Sequence, residues 1–86
     1  MSRLFIPSLP IEAVAANRIS PQRFTWGNIS HPVNRIEEYW LADFGWWRSE
    51  DYVARDYFLL TTKTGLLVEI YRSLVTDLWF LQRLHD

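Results

Sequence analysis

RDYFLLTTKTGLLVEIYR, residues 55–72, contains two runs of β-forming residues on either side of a short polar turn. The runs, residues 55–62 and 66–72, are rich in Tyr, Phe, Leu, Val and Ile, which favour strands. Lys63-Thr64-Gly65 lies between them, and Gly65 can adopt the left-handed conformation that closes a three-residue hairpin loop. The stretch therefore predicts an antiparallel β-hairpin.

Both faces of this hairpin carry apolar side chains. In the second run Val68 and Ile70 alternate with Glu69 and Tyr71, so neither face is fully polar. Short antiparallel strands of this kind suit a small sheet that curves until one face closes on itself. We therefore predict an all-β fold, a small antiparallel, strongly curved sheet or barrel of five to six strands with an extended N-terminal arm.

A second hairpin is predicted around Gly27-Asn28, a two-residue turn signal. Phe24 and Trp26 alternate with a polar residue before this turn, as expected of a half-buried strand. A third strand is predicted from residue 29 toward 41, and a last strand from residue 78 to 84.

Two segments leave helix and strand open. Residues 33–40 place Val33, Ile36 and Trp40 at the three- and four-residue spacing of a helix. Residues 11–16 contain enough Ala for a short helix. We favour strands for both, because six residues are marginal for a helix and a bulge near Asn34-Arg35 can reset the alternation of the third strand.

The domain division follows from the prolines near the start of the chain. Pro7 and Pro10 cannot donate backbone hydrogen bonds, and they restrict the residues before them. Residues 1–10 are therefore predicted to form an extended arm, and residues 11–86 a single β domain.

Composition sets limits on the class of protein. The 86 residues include five Trp, four Tyr, five Phe and no Cys, which favours a large aromatic core without disulfides and argues against disorder. A net charge of −1 argues against a strongly basic nucleic-acid binder. Apolar runs are too short for a signal peptide or a membrane span, so a cytoplasmic protein without membrane association is expected.

Catalytic and metal-binding patterns are not found in the sequence. His31 precedes a proline, His85 is next to the last residue, and neither has a nucleophile or ligand motif around it. Glu37 and Glu38 are adjacent, and neighbouring strand residues point to opposite faces, so they cannot share a proton. We therefore expect no enzyme activity, no metal and no cofactor.

Partner-binding features are more numerous. Trp46-Trp47-Arg48 lies in the longest irregular connection, and such residues dominate interface hot spots, although both Trp side chains can also belong to the core. Leu74-Val75 occupies a turn where polar residues are usual, so the pair is either exposed or folded back onto the sheet. Arg55 and Arg72 complete the candidate contact residues, with cross-strand ion pairs on a solvated face as the alternative.

Motifs spread along the chain carry a family resemblance: Pro10-Ile11-Glu12, Arg23-Phe24-Thr25-Trp26, Val33, Ile36 and Trp40, Trp46-Trp47, Arg55-Asp56-Tyr57-Phe58, Gly65 to Arg72, and Trp79-Phe80-Leu81. Over most of the chain after residue 10 they resemble a family of short bacterial β domains of unknown function. From residue 36 onward they are also similar to the C-terminal domain of ImuB-type proteins, polymerase-like subunits of a bacterial error-prone repair assembly. The resemblance implies a partner-binding or scaffolding domain connected with DNA damage tolerance.

Three hypotheses follow for function. The leading one is a non-catalytic protein-interaction module whose protein partner is unidentified. The second is a small barrel that binds single-stranded nucleic acid by stacking bases on aromatic rings and holding the backbone with Arg. The third is a homodimer that forms through an open sheet edge.

Overall fold

Six antiparallel strands form one sheet that closes in a ring, in sequence order. The computed structural model describes residues 2–16, 20–44 and 53–85, and no helix occurs among them. The strands are β1 (Ser2–Ala16), β2 (Ser20–Trp26), β3 (Ile29–Phe44), β4 (Val53–Thr62), β5 (Leu67–Ser73) and β6 (Trp79–His85). The predicted all-β barrel is confirmed.

Two hairpins have the turn chemistry expected from the sequence. Gly27 and Asn28 have φ angles of 61° and 64°, so both central residues of the β2–β3 turn are left-handed, as a type I′ turn requires. Gly65 has a φ of 95°, and the Thr62 N–H donates to the Leu66 carbonyl at 2.8 Å across the β4–β5 turn. Both predicted hairpins are confirmed.

β3 is a continuous strand, and irregular pairing explains its helix-like spacing. Its register against β4 shifts between Val33 and Arg35, and again between Ile36 and Glu38. Each shift adds one residue, so Val33 and Ile36 both pack against the core although they are three residues apart. The predicted bulge near Asn34-Arg35 is confirmed, and a second bulge follows it.

β1 includes both the predicted arm and the predicted first strand. Residues 11–16 are strand, and their pairing with β2 runs from Glu12 to Ala16. The preceding segment is extended and belongs to the same strand, because Ser2–Leu4 and Leu9–Ile11 pair with β6. The N-terminal segment therefore helps to close the ring.

The core lies between the strands and is filled by inward-facing side chains. On β4 these are the even-numbered residues, including Phe58 and Leu60, and on β5 they are Val68 and Ile70. All four are essentially inaccessible to solvent. Burying each such side chain contributes roughly 1.5–3 kcal/mol relative to leaving it exposed.

The outer face carries a row of aromatic residues across four adjacent strands. Trp40 pairs with Tyr57, Tyr57 with Tyr71, and Tyr71 with Phe80. The ring centroids of successive pairs are 5.1–5.2 Å apart. This row explains why the strands are apolar on both faces, and we call it the outer aromatic row.

Candidate functional site

The turn between β5 and β6 holds the predicted Leu74-Val75 pair at the surface. Leu74 is 43% exposed, Val75 62% and the nearby Leu78 57%. The turn is ordered by its own hydrogen bonds, because the Ser73 N–H donates to the Leu78 carbonyl and the Ser73 Oγ accepts from Val75 N–H at 3.3 Å. The apolar side chains are therefore presented to solvent by a defined loop.

Two further apolar residues lie beside this turn, on β3. Tyr39 and Leu41 are 51% and 55% exposed. Leu41 pairs with Asp56 of β4, and the Leu74 N–H donates to the carbonyl of Ala54 at 2.8 Å, two residues along the same strand. Five exposed apolar residues thus surround one end of the barrel, and we call them the apolar rim: Tyr39, Leu41, Leu74, Val75 and Leu78.

A buried ion pair lies at the centre of the rim. Arg72 of β5 pairs across the sheet with Asp56 of β4, with 3.0 Å between Nη2 and Oδ2. The Tyr39 hydroxyl donates to the other oxygen of Asp56 at 2.5 Å. Arg72 also approaches Asp77 of the turn at 3.9 Å and lies over the Trp79 ring. This network connects β3, β4, β5 and the turn.

The position of the ion pair corrects one expectation. A cross-strand pair with Arg72 is present, but it faces the barrel interior rather than a solvated face. Asp56 has the same inward parity as Phe58, and its side chain is only 10% exposed. A charged pair is retained at this depth because each partner satisfies the other.

Tyr39 has a perturbed hydroxyl group. Its hydrogen bond to Asp56 raises the pKa of the phenol above the ordinary value of 10.0, with burial and the negative charge of Asp56 acting in the same direction. The nearby Arg72 guanidinium opposes the rise in pKa. The neutral tyrosine is therefore the form that the site favours.

Arg55 does not join this cluster. It lies on the outer face, where its Nη1 donates to the Tyr57 hydroxyl at 2.9 Å and its guanidinium lies 4.4 Å from the centroid of the Tyr71 ring. The structure thus separates Arg55 from Arg72, which faces inward one strand away. Arg55 packs on the outer aromatic row.

Trp46-Trp47-Arg48 lies outside the described residues. The described residues that flank this segment, Phe44 and Val53, pair with each other at the ends of β3 and β4. Val53 adjoins Ala54, which contacts the β5–β6 turn. The role of the three residues in partner binding stays a prediction.

A surface groove of about 500 Å³ offers the combination of charges relevant to nucleic-acid binding. Arg23 and Lys63 line it together with Gln22 and apolar residues of β1, β2 and β3. No aromatic ring contributes to its lining. In the outer aromatic row Tyr57 and Tyr71 are at least 90% buried. At the two ends of the row Trp40 and Phe80 are half-buried, and Arg55 lies over the Tyr71 ring, so base stacking on this face stays a prediction.

His31 lies in the core, whereas the adjacent Glu37 and Glu38 lie at the surface. His31 is buried and stacks on Phe24 with ring centroids 5.2 Å apart. Glu37 and Glu38 are exposed at the second bulge of β3, and Glu37 pairs with Arg35 at 3.5 Å. Within the described ranges no three His, Asp or Glu side chains are grouped to hold a metal ion.

Tyr39, Leu41 and Leu78 are site residues that sequence reasoning missed. Leu78 is separated from Leu74-Val75 by only two residues, so an apolar density unusual for a turn was visible in the sequence. Tyr39 and Leu41 gave no such signal, because their face depends on the number of bulges in β3.

Comparisons with known proteins do not assign a function to the chain. No protein family model, curated protein or solved structure matches the chain. No helix in the described part of the chain is long and apolar enough to cross a membrane. The resemblance to ImuB-type C-terminal domains therefore stays a prediction.

Proposed function

We propose that this chain is a non-catalytic protein-interaction module that binds its partner through the apolar rim. The observation that supports the proposal is the clustering of five exposed, large apolar side chains at one end of a barrel. Exposed apolar residues that are grouped in this way mark interaction sites on small proteins, whereas isolated exposed apolar residues are ordinary.

The ion pair at the centre of the rim supports the same proposal. Asp56 and Arg72 tie together the strands that carry the rim, so Leu41, Leu74 and Leu78 are held on a rigid base. A pre-organised surface loses little conformational entropy when it binds. The rim also has Asp43 and Asp77 at its edge, which gives it the polar border typical of interfaces.

The cellular setting in this proposal is bacterial DNA damage tolerance, in the cytoplasm. Its support is the sequence resemblance alone. A scaffolding role suits a domain in which the described residues provide a packed core and an apolar rim but no assembled catalytic group. Trp46, Trp47 and Arg48 extend the proposed contact surface in the connection between β3 and β4.

Affinity capture from the native host tests the proposal. The Leu74→Ser/Val75→Ser double variant should lose a captured protein that the native chain retains, because the partner's apolar contacts are removed. Ile29→Ser is the matched control, since Ile29 is 59% exposed and pairs with Trp26 at the β2–β3 turn, outside the rim. A partner that both variants retain equally, or no partner enriched over a blank resin, contradicts the proposal.

A further inference from the structure

Among the described residues, the second half of β3 has one unpaired edge, which we call the free edge. β2 pairs with β3 only from Ile29 to Pro32, whereas β4 pairs with it from Val33 to Phe44. No other described strand pairs with the opposite edge of residues 33–44. No strand in the described part of the chain uses the backbone groups of that edge, and such an edge can template an added strand.

The free edge has little of the usual protection against pairing, because the only charges in residues 38–44 are Glu38 and Asp43. Both β3 bulges lie before Glu38, and from Glu38 to Phe44 the register against β4 advances one residue at a time. The stretch of residues 38–44 contains no Pro and no Lys, the residues that commonly block strand addition. At about 3.3 Å per residue it offers a regular edge roughly 23 Å long.

We propose that a second copy of this chain occupies the edge, so that two β3 strands pair antiparallel about a two-fold axis at Leu41. This inference rests on the proposed interaction function. It identifies the partner at the β3 edge as a second copy of the chain. A two-fold contact is self-complementary by construction, so each residue must tolerate its symmetry mate. In this register Leu41 faces Leu41, Trp40 faces Ala42, and Tyr39 faces Asp43.

Charge distinguishes this register from its neighbour. Centring the axis on Trp40 places Glu37 opposite Asp43, and like charges directly opposite destabilise a strand pair. With the axis at Leu41 no two carboxylates of residues 38–44 face each other. The exposed Leu41 pair is then buried at the centre, where apolar contact contributes most.

The dimer also continues the rim across the axis. Tyr39 and Leu41 point to the same side as the buried residues Phe58 and Asp56, with which they pair on β4. A copy added to the β3 edge places its own Tyr39 and Leu41 beside them. The paired segment is only seven residues long, so we expect a weak dimer that is in equilibrium with the monomer.

Light scattering during size-exclusion chromatography of the full chain measures the dimer over a roughly hundredfold concentration range. The native chain should shift from monomer to dimer as concentration rises. Leu41→Lys should raise the dissociation constant by about tenfold or more, because two ammonium groups meet at the axis. Ile29→Lys is the matched control, being 59% exposed on the paired half of β3, and should leave dimerisation unchanged.

Charge complementation identifies the register. Leu41→Lys and Leu41→Glu should each dimerise about tenfold or more weakly than the native chain, whereas an equimolar mixture should form a heterodimer that native mass spectrometry resolves. Because Leu41 is exposed, circular dichroism should show both variants folded. A native chain that is monomeric at every concentration, or a mixture of folded variants that does not associate, overturns the inference.

The two proposals fail separately. If the chain is monomeric but still captures a partner that depends on the rim, only the dimer proposal is wrong. If the chain dimerises but captures no protein through the rim, the second copy remains as the partner and the proposal of a different partner protein is wrong.

Discussion

Replacing Asp56 by alanine should destabilise the barrel by about 3 kcal/mol, the low end of the cost of breaking a buried ion pair. The Asp56 and Arg72 side chains are only 10% and 19% exposed, so the guanidinium loses a largely desolvated partner. Tyr39 also loses the acceptor of its hydroxyl. We take the low end because Asp77 still lies 3.9 Å from Arg72.

Urea denaturation followed by tryptophan fluorescence measures this loss. For a slope of about 1.5 kcal/mol per M, a loss of 3 kcal/mol lowers the midpoint by about 2 M. Asp77→Asn is the matched control, because it removes a charge that contacts the same Arg72 from a side chain that is 84% exposed, and Asn tolerates the left-handed φ of 61° at this position. The control should stay within about 0.5 kcal/mol of the native chain. Equal effects of the two substitutions would refute the idea that burial determines the strength of this network.

Two further predictions concern single groups. Gly65→Ala should cost about 1–2 kcal/mol in the same assay, because its φ of 95° strains any L residue while no atom lies within 4 Å to clash with the added Cβ; an unchanged midpoint would contradict this. The Tyr39 pKa, followed by carbon-13 NMR of the phenol, should exceed 10.0 and fall toward it in Asp56→Asn. Since the folded-state pKa is raised, the associated stabilisation is present below pH 10.0 and is lost as the pH rises through the Tyr39 pKa.

Local signals predicted most of the fold. The β2–β3 and β4–β5 hairpins depend on short turns of two or three residues, which need residues that adopt a left-handed backbone. Gly27, Asn28 and Gly65 adopt it. The first half of β1 was harder to predict as part of the sheet. It pairs with β6, so its partner lies more than 70 residues away, and Pro7 and Pro10 argue locally against regular pairing.

The candidate site shows why faces are harder to predict than strands. With a single bulge near residue 34, Val33, Ile36 and Trp40 would lie on the same face, which is the arrangement that their spacing in the sequence predicts. The second bulge, between Ile36 and Glu38, reverses the parity of everything after it. Trp40 therefore stacks on Tyr57 outside the barrel, and Tyr39 and Leu41 turn inward to the rim. No residue type in the stretch marks that second bulge.

The same two bulges connect the rim with the free edge. The second bulge reverses the parity that the first one sets, so Tyr39 and Leu41 share the inward parity of Val33 and lie on the side of the buried ion pair. Both bulges end before residue 38, and the rest of β3 is regular. Among the described strands, the regular half of β3 pairs only with β4, so an added strand can pair with its other edge. Apolar side chains and free backbone groups then occur together at one end of the barrel. Binding at the rim and strand addition at the edge share Tyr39 and Leu41, whereas Leu74 belongs to the rim alone, so substitutions at Leu41 and Leu74 separate the two.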